Sequence, residues 1–259
     1  MRVQTKLTRA TDDPSVANRE LTIWAIPTVV VYGATERLTL LGVFPYLEKH
    51  LRVQTANGRR TRGDSGIGDI RFLARYTVGQ WDKPRETVRL APFIGLEAPT
   101  GEDGKEDELG RLPPGLQLGS GSWRGIFGTI FTWQRLAWEF DASASHRLNA
   151  GARDFEPGDE TRFDLSFQYR LSPFELTSGV PSFLYAVAES NLVWQERDRL
   201  SGARDGNSGG LTWFLSPGLQ YVTERFILEA AVQLPALQDL NGKALGSDAI
   251  VAGGFRTNF

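Results

Sequence analysis

Residues 162–171 read Arg-Phe-Asp-Leu-Ser-Phe-Gln-Tyr-Arg-Leu, an uninterrupted two-residue alternation. Phe163, Leu165, Phe167, Tyr169 and Leu171 fall on one face, and Arg162, Asp164, Ser166, Gln168 and Arg170 on the other. Successive side chains of a strand point to opposite sides, so this segment is a β-strand lying between a wet and an oily environment. The same division recurs along the chain. In 69–78, Ile70, Phe72, Ala74, Tyr76 and Val78 oppose Asp69, Arg71, Leu73, Arg75 and Thr77; in 136–148, Trp138, Phe140, Ala142 and Ala144 oppose Glu139, Asp141, Ser143 and Ser145. In 225–234, Phe226, Leu228, Ala230, Val232 and Leu234 oppose Ile227, Glu229, Ala231 and Gln233.

Helical periodicity is absent, and the pattern predicts an all-β chain of about 12 strands. They are placed at 2–11, 20–33, 36–48, 67–80, 86–99, 118–134, 136–148, 160–172, 182–196, 210–223, 225–236 and 248–259. Strands 20–33 and 182–196 alternate poorly, which predicts a partly apolar second face there. Pro27, Pro45, Pro92 and Pro217 interrupt predicted strands, so bulges or missing ladder bonds are expected around them.

Connections alternate in length. Short turns are predicted at Tyr32 to Arg37, Gln80 to Arg85, Trp133 to Leu136, Val222 to Arg225 and, less tightly, Ser172 to Pro181. Longer polar stretches run from Asp12 to Arg19, Lys49 to Gly66, Thr100 to Gln117, Asn149 to Asp159, Glu196 to Gly209 and Gln238 to Ser247. Short periplasmic turns with longer extracellular loops are the rhythm of bacterial outer-membrane barrels. Most segments exceed the roughly 9–11 residues needed to cross the hydrocarbon. Tyr32, Tyr76, Trp81, Trp133, Trp138, Tyr221 and Phe226 gather near the short turns, as an interfacial aromatic girdle would.

Composition narrows the classes. The 259 residues show no linker and read as one barrel domain, 1–259. Twenty-nine basic residues nearly balance 31 acidic ones, which argues against a nucleic-acid partner. The lack of cysteine excludes disulfides and thiol chemistry. No apolar run reaches the roughly 20 residues of a membrane-spanning helix. The segment Met1-Arg2-Val3-Gln4-Thr5-Lys6 starts in a predicted strand without signal-peptide character, so no signal peptide is expected within this chain, whether one was removed or was never there.

Candidate chemistry is sparse. His50 and His146 are the only histidines, and strict alternation puts His146 on the opposite face from Ser143 and Ser145, which leaves no Ser-His pair. The stretch Gly119 to Gly125 fits neither a nucleophile elbow nor a phosphate loop. The acidic run Gly101 to Glu108 does not match an EF-hand and reads as a solvated loop. No catalytic residue, metal ligand or cofactor is expected. The remaining constellation is the charged face of the strands: Arg71, Arg75, Arg89, Glu97, Arg124, Glu139, Asp141, Arg147, Arg162, Asp164, Arg170, Glu189, Glu229 and Arg256. In a membrane barrel these line the lumen, either as a polar path or as ion-pair ladders that fill it.

Three stretches together resemble the MetA-pathway phenol-degradation family of outer-membrane proteins. They are Gly66-Ile67-Gly68-Asp69 leading to Ala74-Arg75-Tyr76, then Gly95-Leu96-Glu97-Ala98-Pro99-Thr100-Gly101, then Leu112 through Gly119-Ser120-Gly121-Ser122. Trp123-Arg124 replaces the acidic or aromatic continuation usual in that family. The resemblance implies an outer-membrane barrel admitting small aromatic or hydrophobic compounds, and it brings no catalytic residues. The end of the chain at Phe259 similarly resembles the terminal aromatic signature by which outer-membrane barrels meet their insertion machinery.

The sequence therefore predicts a closed antiparallel transmembrane β-barrel in the bacterial outer membrane, with both termini periplasmic. Its expected partners are the lipid bilayer and lipopolysaccharide, small solutes and the insertion machinery. Passive passage through a narrow charged lumen is the expected function. Two alternatives stay open at this point. A soluble β-barrel or sandwich binder would turn Phe163, Leu165 and Phe167 inward, and an outer-membrane barrel with a structural or lipid-hydrolysing role would keep the fold.

Overall fold

The computed structural model describes residues 1–56, 58–173 and 182–257. Twelve strands form the wall: β1 (Arg2–Ala10), β2 (Glu20–Gly33), β3 (Leu38–Thr55), β4 (Ile70–Tyr76), β5 (Glu86–Ala98), β6 (Arg124–Arg135), β7 (Trp138–Leu148), β8 (Glu160–Ser172), β9 (Ser182–Gln195), β10 (Gly210–Thr223), β11 (Phe226–Leu240) and β12 (Ala249–Thr257). Each pairs antiparallel with its sequence neighbour, and β1 with β12 closes the sheet. Closure leaves no free edge, as a membrane-spanning sheet requires.

The large apolar residues are on the outside. Phe163, Leu165, Phe167 and Tyr169 are 53, 46, 43 and 43% exposed, and Phe72, Ile94, Leu215, Leu228 and Val251 are similarly open. A soluble barrel would bury this set; an apolar outer band around a polar interior matches a bilayer. Tyr32, Tyr76, Trp81 and Tyr221 are exposed at the short-turn end. Trp133 and Trp138 meet edge to face there at 4.9 Å, with Arg135 set over both rings. Both ends of the described chain lie at this end as well, where the Met1 amino group donates to the Thr257 carbonyl at 2.9 Å.

Four elements differ from the sequence reading. The strand expected from 118 starts at Arg124, because residues 118–123 are held by a folded loop. The polar stretch from Lys49 is not a free loop: β3 runs on to Thr55 and pairs with Gly58–Ile67 as a hairpin. Arg52, Val53, Gln54 and Thr55 continue the ladder, and Gly58, at φ +100°, supplies the tight turn. Third, the strand expected over 67–80 breaks after Tyr76 and resumes as Gly79–Lys83, also against β5. Fourth, the turn expected from Gln80 narrows to residues 84–85, with Arg85 left-handed at φ +67°. The short connection at 174–181 and the terminal Phe259 lie outside the described residues.

The prolines leave gaps where no N–H is available. Pro27 and Pro45 stand opposite one another between β2 and β3, and β1–β2 pairing lapses between Lys6/Ala25 and Val3/Thr28. Between β10 and β11 the register is interrupted around Pro217 and shifted at Trp213/Phe214.

Candidate lumen site

Register sets which side chains meet inside. Arg71, Glu97 and Arg124 stand on one rung across β4, β5 and β6. Glu97 is 6% exposed. Its Oε2 accepts from Arg71 Nε at 2.8 Å and Nη2 at 2.5 Å, and its Oε1 from Arg124 Nη1 at 3.1 Å. Arg147 of β7 comes in beside them, with Nη2 3.8 Å from Glu160 Oε1. Nearer the short turns, Arg2 Nη2 lies 2.6 Å from Glu229 Oε1, which also accepts from Gln4 at 3.2 Å. Gly254 lies on that rung between Gln4 and Glu229, and a side chain there would take the space of the Glu229 carboxylate.

A polar chain crosses the middle of the wall from β8 to β11. Asp164 accepts from Arg162 at 3.3 Å and Asn191 at 2.9 Å, and Asn191 Oδ1 accepts from Ser216 at 3.2 Å and Gln233 at 2.8 Å. Asp141 accepts from Thr132 at 2.6 Å, and Glu139 from Gln168 at 3.4 Å. Arg75, Arg89, Glu189 and Arg256 share the inward register with these groups. Arg170 is buried and lies over the Phe183 ring at 5.9 Å. A cavity of about 530 Å³ opens along this stretch, lined by Arg2, Lys6, Asp141, Arg162, Glu189, Glu229 and Arg256 among others.

One sector is different. The inward positions of β2 and β3 carry Ile23, Ala25, Pro27, Val29, Leu41, Val43, Pro45 and Leu47. A barrel interior of this kind offers both an apolar strip and a charged wall. The poor alternation of β2 points to such a strip; Arg2 and Lys6 on the adjoining strand β1, directly across from Val29 and Ala25, and Asn191 on β9 were not singled out from sequence, although β1 and β9 follow the same inward alternation there.

Besides Ala10, Ala91 and Phe214 on the wall, a cluster of buried apolar side chains sits in a loop. Leu112, Leu116 and Leu118 are 2, 1 and 7% exposed, and all belong to residues 99–123, which fold back over the mouth at the long-loop end. Asp69, next to β4, latches this loop: Oδ1 accepts the Gly101 N–H at 3.0 Å and Oδ2 the Ser120 N–H at 2.7 Å. Thr100 Oγ1 donates to the Gly68 carbonyl and accepts the Ile70 N–H. Lys49, inward on β3, donates to the carbonyls of Gly115 at 3.1 Å and Gln117 at 2.6 Å. Gln117 in turn bonds the backbone of Lys105 and Leu112. Gly101 and Gly119 touch so closely that a Cβ on Gly101 would lie 2.7 Å from Gly119 Cα. The three separated sequence stretches that carry the family resemblance thus converge at one latch.

Away from the lumen, the histidines have local partners. His146 Nδ1 is 2.9 Å from Thr161 Oγ1 on the outer face, against Phe127, and His50 pairs with Glu48 at 2.9 Å. In the acidic run, Asp103 pairs with Arg153 and Asp107 with Arg62. No group of three or more metal-ligating side chains occurs among the described residues.

The family model described as "Putative MetA-pathway of phenol degradation" matches residues 14–234. No curated protein matches the chain. Among solved structures, the COG4313 outer membrane channel from Pseudomonas putida F1 superposes with a TM-score of 0.73 at 15% identity, covering 100% of this chain and 94% of that one. The NanC porin gives 0.52 at 12% identity, covering 100% and 99%. The beta domain of the Bordetella autotransporter BrkA gives 0.52 at 12% identity, covering 100% and 98%. At such identities the likeness is one of fold.

Proposed function

The chain belongs to the MetA-pathway phenol-degradation family, and on that footing we propose that it is a channel for passive diffusion of small molecules, aromatic and hydrophobic ones among them, across the bacterial outer membrane. The observation that carries this reading is the inverted barrel: an apolar outer band encloses a charged interior cavity of about 530 Å³. About 8 strands leave an interior that side chains fill and 16–18 leave a wide aqueous pore, so 12 strands suit a narrow path. The short-turn end and both termini face the periplasm, the latched loop faces the exterior, and lipid and lipopolysaccharide surround the wall. Insertion machinery delivers the barrel to the membrane.

The inward charges act as the selectivity groups, through pore width and local field, with no covalent step. Glu97 and Glu229 position the arginines around them and keep guanidinium groups at the wall rather than across the path. His146 plays no part in hydrolysis in this reading, since Ser143 and Ser145 point to the other face.

Single-channel recording on the refolded protein, with solute flux into proteoliposomes, tests the proposal. Discrete conductance steps and flux of small solutes are expected. A stably closed barrel that shows neither would overturn it and favour the structural role to which its dense ion-pair network also lends itself.

A further inference from the structure

Beneath the latched loop, the long-loop half of the interior holds a cavity of about 460 Å³. Part of its lining is apolar: Pro45 and Leu47 of β3, Leu118 of the loop, and Phe155 and Pro157 of the next long loop. Another part carries four cations, Lys49, Arg71, Arg124 and Arg147, against three carboxylates, Asp69, Glu97 and Asp198.

The carboxylates are already engaged. Asp69 takes the Gly101 and Ser120 N–H groups, Glu97 takes Arg71 and Arg124, and Asp198 takes the Gly158 N–H at 2.9 Å. The cations keep donors in reserve. Among the described residues, the Nε atoms of both Arg124 and Arg147 are buried without a hydrogen-bond partner. The approach of Arg147 to Glu160, at 3.8 Å, is too long for a hydrogen bond. Buried donors of charged groups call for an acceptor, and guanidinium groups meet a carboxylate in paired, directional bonds.

The apolar lining decides between anions. A bare inorganic anion would lose its water against Pro45, Leu47 and Leu118 and gain nothing from them. An anion carried on a hydrocarbon or aryl body gains from burying that surface. The volume is that of a small-molecule site.

We infer that this cavity is a binding station for small monocarboxylates with a compact apolar body. Arg124 and Arg147 hold the carboxylate, and Pro45, Leu47 and Leu118 hold the body. The inference rests on the channel reading and names a solute class for it.

Calorimetric titration of the refolded protein in detergent at neutral pH tests it with three probes. Benzoate has charge and body, benzyl alcohol keeps the body without the charge, and acetate keeps the charge without the body. Benzoate should bind about tenfold tighter than either, a difference of about 1.4 kcal/mol. Arg147→Gln should weaken benzoate about tenfold while keeping the wild-type heat-dependent gel shift. Absence of benzoate binding, equal affinity for benzoate and either other probe, or unchanged affinity in Arg147→Gln overturns the inference. Should that variant fail to fold, the three probes on the unaltered protein decide alone. Single-channel recording separates the two readings. A barrel that conducts without binding benzoate keeps the channel and loses the station, and one that binds benzoate without conducting does the reverse.

Discussion

Glu97 stands between two arginines on neighbouring strands, and its removal would leave Arg71 and Arg124 without their shared acceptor. Glu97→Gln should destabilise the barrel by about 1.5–3 kcal/mol, the worth of charged hydrogen bonds left unmade, read from urea unfolding in micelles. The same variant should shift the reversal potential toward anion preference, since two positive charges lose their neutraliser. Unchanged stability and selectivity would show that the rung is electrostatically silent. In the first long loop, Asp13 accepts the Arg19 backbone N–H and its guanidinium, with Nη2 at 2.7 Å. The Arg19 guanidinium holds the Asp13 carboxyl well below the usual aspartate range. A depressed folded value means the pair's contribution is complete above the ordinary value near 3.9 and is lost as pH falls through the lowered one. Carboxyl carbon NMR should find Asp13 ionised at a pH where an exposed aspartate is half protonated, and Arg19→Gln should bring its titration back up.

At the scale of elements, the loop at 99–123 governs the mouth. Asp69→Ala removes two charge-assisted bonds to its backbone, so the loop should loosen, protease should cut within 103–111, and conductance should rise about twofold or more. Conductance and cleavage equal to wild type would show that the loop is held without Asp69. Most strands were legible because alternation is local, and β8 could be read residue by residue. The loop was not. Its leucines sit among prolines and glycines with no period, and they are buried by chain segments far away in sequence. Residues 118–123 continue a plausible strand pattern until Asp69 captures Ser120. Residues 49–66 are polar enough to read as loop, yet 49–55 and 58–66 pair as a hairpin above the wall, where one face bonds the 99–123 loop through Lys49 and Arg62, no face meets lipid, and the apolar mark of a strand disappears.

The whole molecule is a barrel whose hydrophobic side is its exterior. Leu165 on the outer face and Ser166 on the inner face are adjacent near the middle of β8. Leu165→Arg should therefore cost about 2–4 kcal/mol in a bilayer, by urea titration, and Ser166→Arg far less. Equal costs would contradict the assigned facing. The sequence by itself determined most of the strands, their two faces, the short and long ends, and most of the charges able to point inward, because each follows from side-chain period and turn chemistry within one segment. Only the tertiary structure decided that Glu97 joins Arg71 to Arg124, that the apolar face expected on β2 continues onto β3 as one strip beside charged walls, and that three distant stretches close into one latch. Those arrangements depend on register between strands and on closure of the sheet, which bring together residues that no local pattern connects.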